Sequence, residues 1–455
     1  MYDIVIIGGG PGGYVAAERA GARGQKVLLI EKGPLGGVCL NCGCVPTKTL
    51  LNSAKTFAHA EHGAQFGVHA EKVTFNLSEA MAWKNDVIGK LRGGVAFLMK
   101  KYKVDVVAGT AEIVNKTTVK TEDGKTFEGK NLIIATGSSP ALPPIPGTKD
   151  NPHLVTSTTL LEITTMPTSL VVIGGGVIGV EFASLFAMLG VKVTVVEMLD
   201  EIIPFMDKEH APAMRKALGS GTAPGVDFQL GCKVEKLDGS TVHYTSKEGP
   251  KTVKGDLVLM AVGRSLNLKG LGLETLGIDF SPRGIVVDEF QRTNVPGVYA
   301  IGDVTGRSLL AHSASRMGEV AVSAIVDPPE ARQRMRYSAI PWVVYSNPEA
   351  AGVGLTEDEA KKKGLNLACA TVPLRNSGRF LAENGTTAPG AVKVITDKDS
   401  GLILGVQMYG AGVGEMIWGA GALIEAELRV KEARELVFPH PTVGEMIRDA
   451  LWELH

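Results

Sequence analysis

One pattern occurs twice in this chain: an apolar strand runs into a glycine turn, continues as a helix, and returns as a strand that ends on an acid. In the first copy Ile4-Val5-Ile6-Ile7 meets Gly8-Gly9-Gly10-Pro11-Gly12-Gly13, and the second strand is Val27-Leu28-Leu29-Ile30-Glu31. In the second copy Val171-Val172-Ile173 meets Gly174-Gly175-Gly176-Val177-Ile178-Gly179, and the strand from Val191 closes on Glu197. The acid lies 23 positions after the first glycine in both copies, 8 to 31 and 174 to 197. In such a unit the first glycine permits a tight turn, the second lets backbone approach a pyrophosphate, and the third lets helix pack on strand. The helix N-terminus then faces the phosphates. A lone glycine fingerprint says little, but two with equal spacing to the acid predict two dinucleotide-binding units.

A second pair of strands agrees with the doubling. Leu132-Ile133-Ile134-Ala135-Thr136-Gly137 and Leu257-Val258-Leu259-Met260-Ala261-Val262-Gly263 both end at small residues and a glycine, as backbone passing close to a nucleotide requires. Prolines 140, 143, 144 and 146 form a stiff connector before the second unit, and Asp327-Pro328-Pro329 breaks the chain again. The predicted fold class is α/β, with two Rossmann-like dinucleotide-binding domains and a C-terminal α+β domain. The expected boundaries are 1–146 for the first nucleotide domain, 147–268 for the second, 269–336 for a central segment completing the first, and 337–455 for the C-terminal domain. A chain of 455 residues exceeds one ordinary core, which fits several domains.

Composition narrows the partners. With 47 basic and 48 acidic residues the net charge is -1, which gives no bias toward nucleic acid or anionic membrane. The N-terminus has no basic region before its short apolar run, so it reads as a strand and not a signal peptide. No stretch approaches the roughly 20 apolar residues of a membrane span. A cytoplasmic protein is expected, with no nucleic acid and no membrane among its partners.

After Glu197 the sequence reads Met198-Leu199-Asp200-Glu201, with no Lys or Arg before Lys208. A carboxylate accepts hydrogen bonds from ribose hydroxyls, and an acidic run repels a 2′-phosphate, so the second unit is expected to take NAD. The first unit is the candidate for FAD, because three of the five cysteines follow it at once: Cys39, Cys42 and Cys44. Such clustering outside a disulfide-rich secreted protein points to redox or metal chemistry. Pro46 suits the first turn of a helix after the cysteines, which would put Cys44 near a positive helix end and lower its thiolate pKa.

The segment Gly36-Gly37-Val38-Cys39-Leu40-Asn41-Cys42-Gly43-Cys44-Val45-Pro46-Thr47-Lys48 resembles the signature of the FAD-dependent pyridine nucleotide disulfide oxidoreductases. The resemblance covers essentially the whole chain, through both glycine fingerprints, Gly302-Asp303, Leu310-Ala311-His312 and His440-Pro441-Thr442 with Glu445. It implies a redox disulfide in which Cys39 exchanges with substrate and Cys44 donates to the flavin, with Lys48 near the flavin and paired with Glu181. It implies that His440, oriented by Glu445, is the base, supplied across a homodimer. Cofactor contacts are implied at Gly8, Gly10, Pro11, Gly13, Glu31, Lys48, Ala111, Thr136, Gly137, Ser138, Asp303 and Ala311, and at Gly174, Gly176, Gly179, Glu197, Val234 and Gly263. The implied substrate is a lipoyl dithiol on a lipoylated carrier protein or domain of a 2-oxoacid dehydrogenase or glycine-cleavage complex; the alternative is another disulfide reduced with NAD(P)H. No metal is expected, since Cys-x2-Cys-x-Cys crowds its ligands and no later Cys/His cluster supplies a closing pair. Cys42 departs from the family pattern, and its proximity to Cys39 and Cys44 predicts sensitivity to thiol misbridging. Cys232 and Cys369 read as small buried hydrophobes.

Overall fold

The computed structural model describes residues 1–221 and 224–454. It comprises two compact units, one of Met1–Thr49, Met81–Ala141 and Arg264–Arg336, the other of Leu50–Ala80, Leu142–Gly263 and Tyr337–His455.

In the first unit, β1 (Tyr2–Ile7), α1 (Pro11–Ala22) and β2 (Val27–Glu31) form the anticipated strand, helix and strand. β1 pairs in parallel with β2 on one side and with Thr126–Ile134 on the other. Asp105–Ala108 extends the sheet beyond β2, and Val298–Ala300 extends it beyond Thr126–Ile134. The central segment of the sequence therefore returns to the N-terminal sheet. Ile4 to Ile7 and Val27 to Ile30 are all buried, as parallel strands covered on both faces must be. The small residues of α1 have a packing cause. Gly12 lies so close to the helix Ala311–Val326 that an added Cβ would sit 3.1 Å from the Ala314 carbonyl oxygen. A Cβ at Gly318 would strike the Gly12 carbonyl in return.

The second unit repeats the parallel arrangement. Its sheet runs in the order Val226–Gln229, Lys192–Val196, Ser169–Ile173, Leu257–Met260, Leu154–Thr156. The helix Val177–Met188 is buried at every position from Gly179 to Met188, so it is apolar almost all round. This unit also contains an antiparallel sheet in the order Trp342–Val344, Glu349–Gly354, Ile403–Gly410, Ala391–Asp397, Leu367–Pro373. The helices Val413–Glu425 and Glu445–Trp452 pack on that sheet. Phe380, Val394, Met408 and Leu451 are fully buried in its core, each contributing about 1.5–3 kcal/mol of transfer free energy. Among the described residues no helix is long and apolar enough to cross a membrane.

Candidate active site

Where the cysteine motif predicts one helix, the chain forms two: α2 (Gly37–Cys42) and α3 (Cys44–Glu61). In one unbroken helix, residues five apart would lie about 140° apart around the axis and about 7.5 Å apart along it, out of disulfide reach. The break falls at Gly43, where an added Cβ would meet the Val38 carbonyl at 3.0 Å. Cys39 and Cys44 are thereby bridged by a disulfide, with Cα atoms 4.6 Å apart. Cys42, half-buried, is not in the bridge; Cys232 is buried, whereas Cys369 is exposed on the strand Leu367–Pro373, so the reading of it as a buried hydrophobe does not hold.

Asn41 holds α2 in place. Its amide donates to the carbonyls of Leu35 at 3.0 Å and Gly37 at 2.9 Å, and its Oδ1 accepts from Arg92 Nη2 at 2.7 Å. Arg92 was not singled out from sequence, because its tie to the motif spans 51 positions. Cys44 is the first residue of the 18-residue α3, so a thiolate released there on reduction sits at the positive end of a long helix. Lys48 stands one turn further along α3.

The two nucleotide cradles match atom for atom. Gly8 has φ +107 and its missing Cβ would overlap the Ala135 carbonyl; Gly174 has φ +107 and faces the Ala261 carbonyl in the same way. The third glycines, Gly13 and Gly179, would clash with the carbonyls of Gly8 and Gly174. Protein packing alone thus demands the first and third glycines. The middle ones differ: a Cβ at Gly176 would meet nothing within 4 Å, and one at Gly10 only Gly37 Cα at 3.8 Å. Gly10 and Gly176 are also the N-caps of their helices and provide no side-chain cap, so the first-turn N–H groups are open to an anion. Pro11 opens the first of these helices. Gly137 (φ +68) and Gly263 (φ +124) likewise border open space. These cradles fit two dinucleotides.

The paired acids are held alike. Glu31 accepts from Gly9 N at 2.5 Å and Gly33 N at 2.7 Å; Glu197 accepts from Gly175 N at 2.5 Å and Leu199 N at 2.7 Å. Each carboxylate is fixed by the glycine turn it serves. Around the second acid, tertiary structure adds what local sequence reading lacks. Lys247, from a distant hairpin, lies 3.5 Å from Asp200, and Arg215 forms a fork onto Glu201 at 2.8 and 3.1 Å. Cations are present near this rim, each against an acid.

Other expected residues fall as follows. Thr136 donates to the Asn267 carbonyl at 2.9 Å. Asp303 lies in the turn Gly302–Thr305 just past the strand Val298–Ala300, and Ser138 Oγ donates to it at 2.5 Å. Ala311 opens its helix behind Leu310, an N-cap without a side-chain hydrogen bond. Ala111 is buried in the apolar core on the strand Ala111–Asn115, so only its backbone is available to a ligand. Val234 lies on Lys233–Asp238 and packs on the core of the second unit. Glu181, 3 % exposed in an otherwise apolar helix, accepts from the Tyr345 amide at 3.0 Å.

His440 and Glu445 form a pair. His440 Nδ1 lies 3.0 and 3.1 Å from the two carboxylate oxygens, and the Thr442 amide donates to Glu445 Oε2 at 2.9 Å. The Thr442 amide, the His440 ring and the Arg448 guanidinium hold the Glu445 carboxyl below the usual glutamate range. Glu445 also begins the helix Glu445–Trp452, where negative charge is favoured. An ionised carboxylate only accepts, so in the neutral ring the proton is on Nδ1 and Nε2 keeps a lone pair. The His440 side chain is 80 % exposed, which leaves that nitrogen accessible.

Residues 2–318 match the family model described as pyridine nucleotide-disulphide oxidoreductase, and residues 340–451 match the dimerisation domain of that family. The chain is 41% identical over 453 residues to dihydrolipoyl dehydrogenase of Geobacillus stearothermophilus, covering 98% of this chain and 95% of that protein. It is 39% identical over 462 residues to dihydrolipoyl dehydrogenase of Thermus scotoductus, covering 100% and 97%. Among solved structures, LpdA of Mycobacterium tuberculosis superposes with a TM-score of 0.90 at 27% identity, covering 99% of both chains. An HOCl-induced flavoprotein disulfide reductase of Escherichia coli superposes with a TM-score of 0.87 at 29% identity, covering 99% of this chain and 100% of that one.

Proposed function

Because the chain belongs to the pyridine nucleotide-disulphide oxidoreductase family, we propose that it acts as a dihydrolipoyl dehydrogenase, oxidising the dihydrolipoyl group of a cytoplasmic carrier protein with NAD. The Cys39–Cys44 disulfide at the head of α3 is the observation that carries this reading. Full-length identity of about two residues in five to dihydrolipoyl dehydrogenases, against 29% to the HOCl-induced reductase, favours the lipoyl substrate over another disulfide. The match to the dimerisation domain supports a homodimer. A carrier from a 2-oxoacid dehydrogenase or glycine-cleavage complex would bring the lipoyl arm.

In this reading His440 Nε2 takes the proton from one substrate thiol, since only a thiolate attacks a disulfide. His440 serves the disulfide of a second copy of the chain. The thiolate attacks Cys39 Sγ, the Cys39–Cys44 bond breaks, and Cys44 leaves as a thiolate held by the N-terminus of α3. The second substrate thiol then displaces Cys39, its proton passing to the departing Cys39 sulfur, and the lipoyl disulfide closes. The substrate has lost two electrons and two protons, and the cysteine pair has gained the electrons. Bound FAD would supply the two-electron acceptor between the cysteine pair and NAD. The cradle at Gly8, Gly10, Gly13 and Glu31, with Asp303, would hold FAD, and that at Gly174, Gly176, Gly179 and Glu197 would hold NAD. An assay of dihydrolipoamide with NAD tests the whole reading, and absence of turnover with this pair would end it.

Two outcomes follow for the supporting acids. A 2′-phosphate brought beside Glu197 and Asp200 meets like charge, so kcat/KM for NAD should exceed that for NADP by about 100-fold or more. Parallel titrations of the two nucleotides decide it, and a preference for NADP would reverse the assignment. Replacing Glu445 with Gln removes the acceptor that fixes the Nδ1–H tautomer, and lipoyl turnover should fall about 10- to 100-fold. The Glu445 carboxyl titrates low in the folded chain, so its contribution to stability is complete above the ordinary glutamate range and is lost as pH falls through the lowered value. Melting curves between pH 6 and pH 3 should accordingly fall more steeply for the wild type than for Glu445→Gln; parallel curves would count against the arrangement.

A further inference from the structure

Asp303 is held by a chain of donors that begins on a residue the family reading leaves without a role, Arg264. The strands Ser138–Pro140 and Arg264–Leu266 pair antiparallel within the first unit, with Arg264 opposite Pro140 and so diagonal to Ser138 on one face. Arg264 Nε donates to Ser138 Oγ at 2.7 Å, and Nη2 donates to the Ser138 carbonyl at 2.8 Å. The hydroxyl so engaged turns its own proton to Asp303 Oδ2 at 2.5 Å. Arg264 Nε itself lies 3.9 Å from that carboxylate oxygen. Ser138 is 2 % exposed, and the Arg264 side chain is 13 % exposed, so water competes little along this path. A second tie holds the same corner: the Asn267 amide donates to the Thr136 carbonyl at 2.8 Å, and Ser139 Oγ donates to Asn267 Oδ1 at 2.9 Å.

We propose that Arg264, acting through the Ser138 hydroxyl, is a positioning residue that aims Asp303 at the flavin. A hydroxyl that accepts from a guanidinium is polarised and donates more strongly, so the two bonds reinforce each other. Oδ2 is thereby occupied and the carboxylate plane is fixed. Oδ1 bears no protein hydrogen bond among the described residues and remains for a hydroxyl of the flavin's sugar-like chain. A neutral residue at 264 would leave Ser138 free to rotate and Asp303 free to swing, without removing any atom that touches the cofactor. The inference rests on the reading that Asp303 holds FAD.

The test compares Arg264→Met, Arg264→Lys, Ser138→Ala, Asp303→Ala and the Arg264→Met/Asp303→Ala pair in the purified holoenzyme. FAD release is read by flavin fluorescence, and melting temperature is measured with and without excess FAD. Arg264→Met should weaken FAD retention about 10-fold or more, Arg264→Lys should recover part of that loss, and the double variant should be no worse than Asp303→Ala alone. The FAD-dependent gain in melting temperature should shrink in Arg264→Met, because that gain follows ligand affinity, whereas a merely structural role would lower both melts alike. Ser138→Ala interrupts the same path but also alters an expected cofactor contact, so if Arg264→Met does not fold, Arg264→Gln is judged by the same readouts. FAD retention that falls in Asp303→Ala but not in Arg264→Met or Ser138→Ala overturns the inference while sparing the role of Asp303. Retention unchanged in Asp303→Ala removes that role, and the inference with it.

Discussion

Replacing His440 with Gln is expected to lower the oxidation of dihydrolipoamide by NAD by about 10²- to 10⁴-fold, while NADH oxidation by a small one-electron acceptor such as ferricyanide continues near the wild-type rate. The two assays share the nucleotide sites and differ in the thiol. Only the first needs a proton taken from sulfur before attack on Cys39. Glutamine keeps the hydrogen-bonding volume at 440 but has no basic nitrogen to stand in for Nε2. Its residual lipoyl rate should climb as pH approaches about 8.5 and above, where thiols ionise without help. Equal losses in the two assays would show that His440 supports the nucleotide half of the protein instead. A pH-independent residue of activity would show that proton removal is not what it supplies.

Replacing Cys44 or Cys39 with Ser should abolish lipoyl turnover, by at least about 10³-fold, because either change removes the disulfide that receives the substrate's electrons. The two variants should differ in the thiol each leaves behind. Cys44, retained in Cys39→Ser, is the first residue of α3 and feels the N-terminal field of an 18-residue helix. Cys39, retained in Cys44→Ser, sits midway along the six-residue α2. Alkylation by iodoacetamide, with the labelled site located by mass spectrometry to separate it from Cys42, should therefore begin at lower pH for Cys44 than for Cys39. A common midpoint, or the reverse order, would contradict the assignment of Cys44 as the thiolate facing the flavin.

Much of this site was legible before any coordinates, and the reasons are local. The first and third glycines of both fingerprints are demanded by clashes with backbone carbonyls, so no other residue type can stand there and the motif survives as letters. The cysteine signature is equally local, since bridge, helix break and helix start lie within six residues. The His440–Glu445 pair spans a single turn at a helix N-terminus. Helix α2 was not legible: six residues opening at a glycine carry too little periodicity to announce a helix. The cations near Glu197 were missed for a different reason, because Lys247 and Arg215 reach that rim from elsewhere in the chain.

By itself the sequence determined the class of chemistry: two nucleotide units, a reactive cysteine pair and a base oriented by an acid, each written in residues whose backbone or reactivity has no substitute. Tertiary structure alone decided how those groups are aimed. Arg264 and Ser138 stand 126 positions apart, and Ser138 and Asp303 stand 165 apart. They meet because two short strands pair antiparallel and because Val298–Ala300 returns to the N-terminal sheet. Hydrogen-bond direction depends on such pairing and leaves no periodic trace in the chain, so the residues that orient the site become visible only once it is folded.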